Sequence, residues 1–120
     1  MTIANIVNVA TINGRTVAGP LVTGGTVVVD VPVHSVAKIN NIIIANIDGT
    51  NSATVTAEVS VNDGTTFYAI AKTVAVPADA TLMLIDKTTG FYLDETDQLK
   101  LTASADDDLT YLVSYEEIID

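Results

Sequence analysis

The sequence predicts an all-β protein: an antiparallel β-sandwich, jelly-roll or immunoglobulin-like, with seven to nine short strands and no significant helix. Three observations carry this expectation. Hydrophobic residues make up 48% of the chain but aromatics only 5%, with no Trp, so the core must be built from Val, Ile, Leu and Ala. Much of that set is β-branched, and Thr is abundant, which suits a pleated, half-buried surface better than a helix. Apolar and polar residues alternate with period two in short runs, and clusters of Gly, Pro, Asn and Asp separate those runs at the spacing of a sandwich or barrel. At 120 residues the chain fits one domain with one core.

Residues 1–25 read as an N-terminal extended arm or first strand, and residues 26–120 as the sandwich domain. Ile3, Ile6, Val7 and Val9 fit a strand, Asn13-Gly14 marks a turn, and Gly19-Pro20 and Gly24-Gly25 are breakers. Such a segment either packs on its own domain or reaches onto a neighbouring subunit. From Thr26 to Val31 the chain alternates, with Val27, Val29 and Val31 opposite Val28 and Asp30, until Pro32 ends the run.

The stretch from Lys38 to Val61 is the expected centre of the fold. Ile39, Ile42, Ile43, Ile44, Ala45 and Ile47 place apolar bulk on both faces, as in a strand buried within a sheet. After Asp48-Gly49-Thr50-Asn51, Val55, Ala57, Val59 and Val61 share one face, and Thr54, Thr56, Glu58 and Ser60 the other. Turn residues between two such runs read as a core hairpin. Asn62-Asp63-Gly64 signals a second hairpin, leading to a strand at Thr66–Ala71 and then Val74-Ala75-Val76. Pro77-Ala78-Asp79 breaks the chain before a strand over Thr81–Asp86. Lys87-Thr88-Thr89-Gly90 turns it into the short Phe91-Tyr92-Leu93, and Asp94 to Asp97 turns it again. Leu99, Leu101 and Ala103 alternate with Lys100, Thr102 and Ser104, and Asp106-Asp107-Asp108 loops to a last strand over Thr110–Ile118. There is no internal repeat, low-complexity tract or interdomain linker.

The chemistry is sparse. With no Cys and one histidine, His34, there is neither disulfide nor Cys nucleophile nor multi-histidine metal site. No serine sits in a G-x-S-x-G elbow, and His34 after Pro32 reads as structural. Asp106-Asp107-Asp108 could offer oxygen ligands to calcium, but it lacks EF-hand spacing and reads as a solvated turn. Glu116 and Glu117 point to opposite faces of one strand, so they cannot form a glycosidase pair. Glycine-rich phosphate loops are absent. The reading is therefore of a non-enzyme with no catalytic residue, metal site or cofactor. The net charge of −10 argues against nucleic acid or an anionic membrane as partner. No segment has the length of a membrane-spanning helix, and the N-terminus lacks the basic region of a secretory signal, so the chain is expected to be soluble and made in the cytoplasm.

The stretches IIIANIDGTNSATVTAEVSVNDGTTFYAIAKTVAVPADATLMLIDKTTGFYL, DQLKLTASADDDL and VSYEEI resemble small virion structural proteins of tailed bacteriophages, especially phages of cyanobacteria and other aquatic bacteria. The resemblance implies a β-sandwich particle component and no catalytic residues. Within that class it points first to a capsid decoration, or cement, protein on the outer capsid surface of the virion, synthesised in the host cytoplasm. Such a protein binds the major capsid protein and stabilises contacts between capsomers as a homotrimer, many copies acting together. A tail, neck or fibre component is the alternative, and a carbohydrate-binding module for host attachment a further one. Partner contacts are expected on loops and on the N-terminal segment, at Arg15, Asp48, Asn51, Asp106, Asp107 and Asp108.

Overall fold

The computed structural model of the protein describes residues 11–120, and every described strand belongs to one of two antiparallel sheets. In chain order the strands are β1 (Thr11–Pro20), β2 (Thr26–Asp30), β3 (Ser35–Asn46), β4 (Ala53–Ser60), β5 (Tyr68–Val76), β6 (Thr81–Ile85), β7 (Phe91–Leu93), β8 (Gln98–Ala103) and β9 (Leu109–Ile119). The first sheet runs β1-β9-β3-β6, and the second β2-β8-β4-β5. In the first sheet β9 lines one edge of β3, while β7 and β6 share the other edge in succession, at Ala37–Ile39 and Ile42–Ala45.

The pairings are nested. β4 pairs with β5, β3 with β6 and β7, β2 with β8, and β1 with β9. The chain is thus one long hairpin, doubled at Asn62–Gly64 and wrapped so that successive pairs alternate between sheets. The β3·β9 and β4·β8 ladders join the pairs side by side. This strand order is the jelly roll, so the structure decides between the two sandwich types left open by the sequence.

The doubling turn is built from its own residues. Buried Ser60 donates its hydroxyl to Asn62 Oδ1 at 2.8 Å and accepts the Gly64 N–H at 2.9 Å, while Asn62 Oδ1 accepts the Thr66 N–H at 2.9 Å. Asp63 and Gly64 both have positive φ, and a Cβ on Gly64 would lie 2.9 Å from the Gln98 side chain, so the Asp-Gly pair fits where bulkier residues would not.

The core lies between the sheets. Ile39, Ile42, Ile44 and Val113 of the first sheet meet Val55, Ala57, Leu99 and Leu101 of the second, with Leu21, Leu93 and Leu109 closing the ends. Glycine also matters at Gly90, where a Cβ would lie 2.6 Å from the Ile39 carbonyl oxygen; only a bare backbone lets this turn approach β3 so closely.

The fold corrects several sequence expectations. Lys38–Val61 is not a hairpin: β3 and β4 lie in different sheets, and Ile47–Ser52 carries the chain across the sandwich. Buried Asn46 fixes that crossing, donating from Nδ2 to the carbonyls of Asn51 and Val76 and accepting the Asp48 N–H at Oδ1. Asn13-Gly14 is not a turn but lies within β1, opposite Glu117 and Glu116. In β2 a bulge between Val27 and Val29 breaks the alternation, burying Val28 and Val29 together. Nor is β3 buried on both faces: Ile42 and Ile44 point inward, whereas Ile43 is half-exposed on the outside. The strand expected at Ile3–Val9 lies outside the described residues.

Neighbouring residues of β3 should therefore respond differently to truncation. Ile44→Ala should lower the unfolding free energy by about 2–5 kcal/mol, and Ile43→Ala by about 1 kcal/mol or less, read from urea unfolding followed by circular dichroism.

Candidate functional site

The wrapping of the hairpin collects four loops at one pole of the sandwich: 21–25, 47–52, 77–80 and 104–108. Backbone hydrogen bonds hold them together. Leu21 N–H donates to the Leu109 carbonyl, Ile47 to Asp108, Asp79 to Asp48, and Asp107 to Leu21, at 2.8–3.2 Å. These loops carry Asp48, Asp79, Asp106, Asp107 and Asp108 and contain no lysine or arginine. Asp106 Oδ1 accepts the Thr23 N–H at 2.8 Å. Asp48 Oδ1 accepts the N–H groups of Thr50 and Asn51, which hold its carboxyl below the usual range. Among the described residues no three His, Cys, Asp or Glu side chains are placed to share a metal ion. The pole is an anionic surface rather than a cage.

Of the sequence-predicted contact residues, Asp48, Asn51, Asp106, Asp107 and Asp108 come together here. Arg15 does not: it lies on β1, where its Nε and Nη2 each approach Glu117 Oε1 at 3.1 Å. Glu117 is only 7% exposed, and beside it burial raises the pKa of Tyr115, with Glu117 adding to the rise and Arg15 opposing it. Asp79 was not foreseen, because its sequence context read simply as a break.

At the opposite pole, His34 sits at positive φ with an exposed ring. Its backbone N–H donates to Glu95 Oε2 at 2.7 Å, and its Nδ1 lies 3.7 Å from Asp120 Oδ1. Nearby Asp97 is buried, with Oδ2 accepting the Asp94 N–H and Oδ1 without a hydrogen-bond partner. Burial raises its pKa, and the Asp94 charge adds to the rise.

A third surface is the outer face of the first sheet. Ala18, Leu112, Ile43 and Met83 are register partners across four strands, and all point away from the core. Met83 is 54% exposed. Beside this row a groove of about 600 Å³ is lined by Ala18, Pro20, Ile43, Ala45, Thr110 and Leu112, among others. A smaller groove of about 180 Å³ further along the same face is lined by Lys38, Lys87, Tyr92 and Glu116, among others.

No protein-family model matches the sequence, and a comparison with curated proteins finds no match. The fold is similar to that of a protein from Bacillus endospore appendages, a family of disulfide-linked pili, with a TM-score of 0.51 and 11% identity, covering 91% of this chain and 87% of that one. It is also similar to a pentameric capsid protein isolated from metagenomic phage sequences, in two structures with a TM-score of 0.39 and 17% identity, covering 87% of this chain and 64% and 59% of those chains. The present chain spans less than two thirds of the capsid protein's length. The similarity at this level is one of fold. Without cysteine, the chain has no disulfide through which to link its copies.

Two measurements test the local electrostatics. Arg15→Ala should destabilise the fold by about 1–3 kcal/mol by leaving the Glu117 carboxylate unpaired, and adding Glu117→Gln should return part of that loss. Asp97 titrates the other way from a salt-bridged carboxylate. Folding favours its protonated form, so its contribution is greatest below the ordinary carboxylate range and falls as pH rises through the native pKa. Asp97→Asn should therefore have a higher urea midpoint than the wild type at pH 7, and the gap should close by about pH 3.

Proposed function

We propose that this protein is a non-enzymatic structural component of a phage virion, acting as a capsid decoration protein on the outer capsid surface. The observation that carries this reading is the anionic pole. Asp48, Asp79, Asp106, Asp107 and Asp108 stand on loops tied to a rigid double sheet, without a cation among those loops. A pole of this kind binds a basic surface on a partner, here proposed as the major capsid protein, and contributes mainly to encounter rate and specificity. Asn51 and Arg15 are assigned to the same contact, Asn51 from the pole and Arg15 from β1. The N-terminal 25 residues are proposed to contribute to attachment. Copies acting together on a repeating capsid lattice would make weak single contacts sufficient. The resemblance to virion proteins and the jelly-roll architecture support this reading, and self-association, as the homotrimer the resemblance implies or in another symmetry, belongs to it.

A tail, neck or fibre position is the runner-up, since one fold serves many sites. The carbohydrate-binding alternative loses ground on geometry. Tyr68 and Tyr92 are 64% and 60% exposed but lie in different sheets, while Tyr111 and Tyr115 pack against the core, so the tyrosines form no common stacking platform.

Location is the deciding measurement. Cryo-EM of the virion, with immunogold labelling, should find the protein on the capsid exterior; label confined to the tail would overturn the assignment. In reconstitution on capsids lacking the protein, a variant with Asp106, Asp107 and Asp108 all changed to Asn should bind about tenfold more weakly, and the loss should shrink as salt rises.

A further inference from the structure

We infer that the outer face of the first sheet is a two-fold interface between copies of this chain, packed face to face with the strands antiparallel. The inference rests on the self-association part of the proposed function and gives it a symmetry, a two-fold contact in place of the three-fold one implied by resemblance.

The row Ala18–Leu112–Ile43–Met83 crosses all four strands and is apolar throughout. Charges flank it with opposite signs on its two sides. Asp79, in the loop before β6, precedes Met83 by four residues, and Lys87, in the turn after β6, follows it by four. Lys38 lies on β3, five residues before Ile43 with a bulge between them, and Asp48 lies in the crossing loop just past the other end of β3. The register confirms the spacing on Lys38's side, because Lys38 pairs with Glu116, four residues from Leu112 on β9. On the far side, Asp108, four residues before Leu112, accepts a backbone hydrogen bond from Ile47, next to Asp48.

A two-fold axis lying along this row reverses strand direction and turns the faces together. It stacks the apolar row on its own copy and brings Lys87 towards Asp79 of the second copy, and Lys38 towards its Asp48. Each pairing occurs twice, as isologous contact requires. Glu116 and its register partner Lys38 lie about 14 Å from the axis at strand spacing, and Asp79 and Asp48 lie in loops past the opposite strand ends, so the charges form a rim around a dry centre. The rows next to the centre carry Pro20, Thr110, Ala45 and Thr81 on one side, and Thr16, Ser114 and Asn41 on the other. The two-fold sets these small and hydroxyl-bearing side chains opposite one another. Glu116 opposes Asp108 across the same axis, and its register neighbour Lys38 offsets that repulsion. A stacking with the strands parallel would instead place lysine against lysine and aspartate against aspartate. The charge pattern therefore selects a second copy, in one orientation, as the occupant.

Sedimentation equilibrium of the purified chain should give a dimer. Ile43→Asp should give a monomer with unchanged circular dichroism, because the side chain points outward. Lys87→Glu should weaken the dimer about tenfold, and should cost less in an Asp79→Asn background; Asn keeps the positive φ at this site tolerable. Because the chain has no cysteine, Ile43→Cys supplies a single thiol on the axis, and a short bis-maleimide should join two copies through it. Glu58→Cys, on the outer face of the second sheet, should not cross-link. A monomeric wild type, a trimer indifferent to Ile43→Asp, or equal cross-linking at the two positions would overturn the interface. Ile43→Asp protein that is monomeric and still decorates capsids separates the two readings: it supports the interface if the wild type is a dimer. A wild type that is monomeric and decorates them overturns the interface alone.

Discussion

The ladder between β3 and β9 is the contact on which the rest depends. It runs from Ser35 opposite Ile119 to Asn46 opposite Leu109, and it joins the outermost nested pair to the third. Without it, β1 and β9 would be a two-stranded ribbon with no neighbour, and the first sheet would lose the strand that carries Val113 into the core. Its residues are far apart in the chain, so the loop-closure entropy must be met before the ladder returns any stabilisation. The inner pair β4·β5, closed by the Ser60–Asn62–Gly64 turn, has the shorter loop. Folding outward from that turn is the order that adds the least entropy at each step, with the β3·β9 junction closing late.

Much of the fold was legible because period-two alternation reports directly which face of a strand is buried. The strands at 98–103 and 109–119 and the turn at 62–64 follow from side-chain pattern and turn chemistry alone. The error at Asp48–Asn51 has a physical cause. Asp, Gly and Asn announce that the chain bends, but the same residues serve a tight hairpin and a crossing between sheets. What separates them is Asn46, whose amide ties the crossing to Val76, thirty residues on. A contact of that range leaves no local mark. The bulge in β2 is similar, since consecutive valines read as well in one register as in the other.

The site was legible in composition and not in place. Excess acid and the run at 106–108 were visible, yet their meeting with Asp48 and Asp79 comes from the nesting of strands, which alternation does not encode. Arg15 stands on β1 and not at the pole, and it approaches Glu117 across the β1·β9 ladder, a pairing of distant residues that leaves no local mark. The informative signal was the run Ile42-Ile43-Ile44-Ala45. In a two-layer sandwich only one face of a strand can meet the core, so an apolar residue on the other face is either left to water or covered from outside.

Net charge sets the terms for any such covering. At −10 per chain, two copies repel at long range, and only the interior of the contact can oppose that repulsion. At physiological ionic strength the screening length is about 8 Å, so acid further than that from the contact is hidden from a second copy, while charges at its rim are not. The distribution fits this constraint. Asp106 and Asp107 are exposed at the pole, and the chain's few cations include Lys38 and Lys87 on the outer face of the first sheet, which is apolar at its centre. Placing two of five basic residues there lowers repulsion where approach is closest. Asp48 and Asp79 stand where the two surfaces meet, whereas Asp106 and Asp107 belong to the pole alone, so a covered face still leaves part of the pole open to a basic partner.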